Sequence, residues 1–231
     1  MEELKKSYKH LVESLTENKE NYKEEDLVIF TPGIGKNYKG DLLIIGRAVN
    51  DWHIYLNKNN TNKEKNDIVL QINNEIENHN LDWVYERWGN QDGQYNTKKS
   101  AFWRVTNMLA ELITKVENPI HSIVYSNLYK VAKSGGGNPS DKLCDIQFKI
   151  CADILRQEIE FFKPKIIVML TGLNWADYFL EDLKVNNELK QKTDYVSFVG
   201  QYKQSKIVVS PHPQGKSENE IIKEIFKFLK K

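Results

Sequence analysis

The sequence predicts an α/β protein of three layers, with helices covering both faces of a mainly parallel central sheet. Apolar runs five to seven residues long alternate with longer amphipathic stretches. Such runs suit strands buried on both faces, and the alternation suits parallel pairing. The chain has 231 residues, 40% hydrophobic and 28% charged. That composition is ordinary for a globular protein, and residues 1–231 are expected to form a single domain.

Leu4, Tyr8, Leu11, Val12 and Leu15 recur at helical spacing and predict a first helix over residues 4–15. Thr31-Pro32-Gly33-Ile34-Gly35 has turn chemistry. Residues 41–46 read D-L-L-I-I-G, a buried strand closed by glycine. Residues 52–66 are rich in Asn and Lys and suggest a surface excursion, and 69–76 are weakly helical. Residues 81–88 hold two tryptophans before a Gly-Asn-Gln-Asp-Gly turn. Ser100 suits the N-cap of a helix over 102–116. A second strand, I-V-Y-S-N-L, lies within 120–131 and leads into a glycine-rich loop at 134–139. A long amphipathic helix spans 142–162, and the clearest strand, K-I-I-V-M-L-T-G, spans 165–172. A short helix at 173–180, a last strand at 206–210 and a closing helix at 218–230 complete the order.

Net charge is +1, so bulk charge gives no argument for a nucleic-acid partner, although a local basic stripe can sit on a balanced chain. The charged start of the chain lacks the apolar core of a signal peptide, and no apolar run approaches the ~20 residues that span a bilayer. No membrane partner is expected, and the cytoplasm is the expected location. Cys144 and Cys151 are the only cysteines. On one straight helix they are too far apart for a disulfide. Two thiols alone cannot supply a four-ligand zinc or iron–sulfur site, so buried thiols and no metal or other cofactor are expected.

In an open parallel sheet, ligands bind beyond the carboxyl ends of the strands. Gly46 is expected to let the chain turn out of the sheet, with Arg47 and Ala48 following and Asn50 and Asp51 placing an amide and a carboxylate at the strand mouth. A turn with an N-cap aspartate fits those residues equally well. His212 lies between Pro211 and Pro213 just past the last strand. Prolines hold such a ring stiffly, ready to donate to developing negative charge or move a proton; a structural histidine is the alternative. Asn127 ends the second strand and could read a base edge or satisfy loop backbone. Phe102, Trp103 and Trp52 are candidates to stack on a flat base, and equally candidates for the core. The loop at 134–138 resembles a phosphate cradle but lacks the Lys-Ser/Thr of a P-loop.

Taken in order, these segments resemble the uracil-DNA glycosylase superfamily, most nearly its thermophilic-type bacterial branch. That branch carries G-E-A-P-G after a strand, a P-F helix start, T-N-x-V-K-C-R-P-P, P-K-x-I-V-x-L-G and a final H-P. The counterparts are L-L-I-I-G-R-A-V-N-D-W from Leu42, S-A-F-W-R from Ser100, S-N-L-Y-K-V-A-K from Ser126, P-K-I-I-V-M-L-T-G from Pro164 and S-P-H-P-Q-G from Ser210. The resemblance implies an enzyme that flips a base from DNA and hydrolyses its N-glycosidic bond. It places charge stabilisation of the leaving base on His212, base reading on Asn127 and stacking on Phe102. The first motif departs from the family: Ala48 stands where the water-positioning group is common, and Arg47 replaces an acid. Asn50 and Asp51 are then the candidates to hold the water. Gly46, Arg47, Ala48, Trp52 and Pro213 complete the expected binding residues. Most of the branch's cluster cysteines are missing, so no cluster is carried over. The expected partner is DNA or another nucleobase-containing ligand, bound by a monomer. The alternative is a divergent member that binds nucleic acid or hydrolyses a free nucleoside or nucleotide. An unrelated doubly wound nucleotide-binding protein is a third reading.

Overall fold

Leu4, Tyr8, Leu11, Val12 and Leu15 line one face of helix α1 (Glu2–Glu17), and all five are buried. The computed structural model in which they are seen describes residues 1–78, 80–92, 95–189 and 192–230. The chain divides into two compact units: Met1–Pro32, Arg47–His79 and Asn127–Phe162 make the first, and Gly33–Gly46, Asn80–Ser126 and Lys163–Lys231 the second.

In the first unit, α1 packs with α2 (Asn62–Asn78) and α5 (Asp141–Phe162) beside a small antiparallel sheet. Its strand order is β4 (Tyr55–Asn57), β1 (Asp26–Ile29), β6 (Val131–Lys133). Leu27 pairs with Leu56 on one side and Lys133 on the other. Leu27, Ile29, Leu56 and Val131 are buried in one cluster with the apolar faces of the three helices. The surface excursion expected at 52–66 is therefore corrected. Ile54 and Leu56 are fully buried, and the Asn/Lys-rich tract supplies the start of a helix of 17 residues.

The second unit holds a six-stranded sheet in the order β2 (Gly33–Ile34), β5 (Ile123–Tyr129), β3 (Leu42–Ala48), β7 (Ile166–Leu170), β9 (Ser205–Ser210), β8 (Phe198–Tyr202). β3, β7 and β9 are parallel, with Ile44 opposite Val168 and Val168 opposite Val208. The edges β2 and β8 run antiparallel to their neighbours. Leu42, Ile44, Val168, Leu170 and Val208 face a cluster completed by α4 (Ala101–Thr114) and α7 (Glu218–Leu229). The alternate residues Leu43, Ile45, Ile167, Met169, Ile207 and Val209 are also fully buried, so both faces of these strands are covered. Short helices α3 (Asp82–Glu86) and α6 (Leu173–Asp182) complete the unit. The architecture is the expected one, a mainly parallel central sheet with flanking helices.

Two local expectations change. The turn at 31–35 contains the edge strand β2, bonded to β5 through Gly33 opposite Tyr125. Gly46 does not turn the chain: it lies inside β3, which runs on through Arg47 and Ala48. The left-handed turn comes later, at Asp51, with φ 67. The turn expected at 89–93 ends on Gly93, outside the described residues.

Cys151 is buried and Cys144 half-buried; both are free thiols. Burial pushes Cys144 up to about 11, Cys151 up to about 12 and the Tyr22 phenol up to about 12. In the unfolded chain thiols titrate near ~8.5 and phenols near ~10. The folded state thus keeps protons that the unfolded state has released. Stability is fully present below about pH 8.5 and falls as pH rises from there toward 12. The thermal midpoint is expected to be lower at pH 10 than at pH 7, and equal midpoints would contradict the buried protonated thiols. Among the described residues, no helix is long and apolar enough to cross a membrane.

Candidate functional site

The last parallel strand delivers the histidine. β9 ends at Ser210, and the chain turns at once through Pro211-His212-Pro213. Lys216 N–H donates to the Pro213 carbonyl at 3.0 Å, and Gly215 sits at φ 73, so the loop closes on itself. Gln214 N–H donates to His212 Nδ1 at 3.2 Å. With Nδ1 accepting, a neutral imidazole carries its proton on Nε2. The ring is thereby given a direction as well as a place.

Ser100 caps α4 as expected, its Oγ accepting from Trp103 N–H at 3.5 Å. This cap sets the first turn, which carries Phe102. The Phe102 and His212 rings are stacked, with centroids 6.1 Å apart and planes 23° apart. Phe102 also meets Tyr125 of β5 at 5.5 Å and Trp103 at 5.4 Å. Trp103 is core: it is buried edge-on against Trp83 at 5.2 Å and close to Tyr125 at 4.9 Å. Arg104 and Glu218 then tie the starts of α4 and α7 together. Arg104 Nε donates to both carboxylate oxygens, at 3.2 and 3.0 Å, and Arg104 Nη2 donates to Oε1. Arg104 Nη1 adds a 2.7 Å bond to the Lys98 carbonyl. Ser210 Oγ, two residues before the histidine, is fully buried with no hydrogen-bond partner among the described residues. A buried hydroxyl left in that state is a place for a water or a polar ligand atom.

The remaining predicted residues lie in the first unit, with Gly46 the last residue of a second-unit segment. Arg47 and Ala48 are half-buried, and burial lowers the Arg47 guanidinium from its ordinary value. Asn50 Oδ1 accepts from Gly137 N–H at 3.0 Å. Gly135, Gly136 and Gly137 have φ of 81, 88 and 95. A Cβ at Gly136 would lie 3.0 Å from Asn50 Oδ1. The phosphate cradle suggested for 134–138 is corrected on this point: one of its amides is already taken by the Asn50 side chain. Asp51 is exposed, and its Oδ1 accepts from Trp52 N–H at 3.1 Å. The next element is the strand β4 and not a helix, so the N-cap role suggested for Asp51 is corrected. Trp52 packs at 5.1 Å on the buried Phe30 ring. Asn127 is 1% exposed, near the end of β5.

A model of the uracil DNA glycosylase superfamily matches residues 89–230, more than half of the chain. The chain belongs to that superfamily. No curated protein matches it. Phe102, Asn127, His212 and Pro213 fall inside the matched stretch, whereas Gly46, Arg47, Ala48, Asn50, Asp51 and Trp52 precede it. An iron–sulfur cluster does not fit the thiols of this superfamily member. Cys151 is enclosed, accepting from Lys130 N–H and lying 3.4 Å from Gln147 Oε1. The chain has two cysteines, where a cluster takes about four.

Sequence reasoning missed Arg104, Glu218, Lys130 and Glu158, and named Ser210 only as the end of the last strand. Lys130 and Glu158 carried a signal. Glu158 sits on the apolar face of α5, in step with Cys151, Ile154, Leu155 and Phe162, and Lys130 is a charge set between Leu128-Tyr129 and Val131-Ala132.

Proposed function

We propose that this protein is a DNA base-excision N-glycosidase, nearest in kind to the thermophilic-type bacterial branch, that hydrolyses the glycosidic bond of a flipped base. The observation that carries the reading is the stacked Phe102–His212 pair, whose histidine has Nδ1 held by Gln214 N–H. In the reaction, the bond from C1′ to the base nitrogen breaks and both its electrons leave with the base. His212 Nε2–H donates to the base oxygen on which that charge accumulates. Phe102 supplies a face for the flat base, and Ser210 Oγ a polar partner or a water site. By the motif order of the superfamily, Asn127 reads the base edge; Ala48 stands at the water-positioning place, and the nearby Asn50 and Asp51 take over the water. Water oxygen bonds to C1′, one water proton passes to solvent or the Asp51 carboxylate, and the released base is reprotonated.

The test is base release from single- and double-stranded oligonucleotides containing uracil, hypoxanthine or a G·T mismatch. Release of a free base and an alkali-labile abasic site supports the reading. No release from any substrate removes it. Ala48 favours a second reading, a member that binds nucleic acid or acts on free nucleosides, because its methyl cannot orient water. Salt-dependent oligonucleotide binding without turnover, or nucleoside cleavage alone, supports that reading.

A further inference from the structure

Lys130 lies between β5 and β6, and its side chain is 0% exposed. Its Nζ is 2.9 Å from Glu158 Oε1 and donates to Oε2 at 3.0 Å; the Glu158 side chain is also 0% exposed. Nζ donates again, at 2.6 Å, to the backbone carbonyl of Asn127. The rest of Lys130 is pinned as well. Its carbonyl accepts from Phe30 N–H at 2.8 Å, and its N–H points to Cys151 Sγ at 3.4 Å. Next to it, Gln147 bonds both backbone groups of Val131, at 2.9 and 2.8 Å. The ammonium also lies 5.9 Å over the Phe30 ring, which holds Trp52 on its other contact.

Removing two charges from water is costly, and an apolar pair of equal volume would fill the same space as well or better. What the ion pair adds is direction. It aims a charge-assisted donor at one carbonyl, and such bonds are shorter and stronger than neutral ones. That carbonyl belongs to the residue assigned to reading the base.

We propose that Lys130, anchored by Glu158, is a positioning residue that fixes the Asn127 backbone and so sets which base the site accepts. This rests on the glycosidase reading for its consequence, though not for the tether itself. The experiment compares wild type with the double variant K130M/E158L, in which no buried charge is left unpaired. Four quantities are read: the thermal midpoint, amide exchange at residues 127–131, and kcat and KM on uracil and hypoxanthine oligonucleotides.

With the midpoint close to wild type, exchange at those amides is expected to quicken by about tenfold. Uracil kcat is expected to fall by roughly 10–100-fold, with KM within about threefold and the preference between the bases narrowed. A purely structural pair would leave exchange, kcat and preference unchanged once the midpoint is matched, and any of these results overturns the inference. Wild type that releases no base removes the glycosidase reading, while the exchange data still decide the tether. Should the double variant not fold, the Lys130 ammonium of wild type is observed by ¹⁵N NMR. A slowly exchanging signal coupled to the Asn127 carbonyl supports the tether, and its absence overturns it.

Discussion

His212→Ala is expected to slow uracil release by about 10²–10³-fold in single turnover, the usual effect of removing one preorganised donor to a developing anion. The geometry explains why the loss should fall on the chemical step. Gln214 N–H occupies Nδ1, so a neutral ring carries its proton on Nε2, the nitrogen that the proposed role uses. Affinity for an oligonucleotide carrying an abasic site should change little, because such a site has no base oxygen for His212 to bond. His212→Gln offers a control. Its amide can donate from a similar reach but lacks the Nδ1 anchor, so an intermediate rate is expected. An alanine variant as fast as wild type would exclude His212 as the donor.

Gly35→Ala is expected to destabilise the second unit by about 3 kcal/mol or more, at the upper end of overpacking effects. Gly35 follows β2 and is bonded to β5 through its N–H to the Ile123 carbonyl at 2.8 Å. A Cβ there would lie 2.3 Å from the His121 carbonyl oxygen, 2.4 Å from its carbon and 2.8 Å from the Ile120 oxygen. All three are backbone atoms, so no side-chain rotation relieves the clash. Either β2 leaves its neighbour or the 3-10 turn at Pro119–Ser122 shifts. For a protein of this size, such a loss lowers the thermal midpoint by roughly 6–12 °C. Gly135→Ala is the comparison, since a Cβ there meets nothing within 4 Å. It carries only the strain of φ 81, on the order of 1 kcal/mol. Equal midpoints for the two variants would refute the steric account.

Most of the sheet and its covering helices were legible because they repeat. β3, β7 and β9 are apolar over nearly their whole length, and α1, α4, α5 and α7 show faces at helical period. β1, β4 and β6 were not legible. Strands of three or four residues hold too little pattern, and their state comes from pairing with chain far away in sequence, as when Val28 meets both Tyr55 and Ala132. Gly46 misled because glycine usually punctuates a strand, whereas here the backbone stays extended for two more residues. In the candidate site, the loop that holds His212 and the helix start that carries Phe102 were readable from proline flanks and a capping serine. The Arg104–Glu218 fork joins residues 114 apart, and nothing local marks either partner for the other.

The five crossings of the chain between the two compact units bear on biosynthesis. The first unit has all of its segments once Phe162 has been added, whereas the second needs chain from Lys163 onward. On a ribosome the helices and small sheet of the first can close while β7, β9 and α7 of the second do not yet exist. On its β7 side, the Leu42–Gly46 part of β3 gains its parallel neighbour more than a hundred residues later. No single protease cut can release either unit as one continuous fragment, and neither can be expressed as a simple truncation.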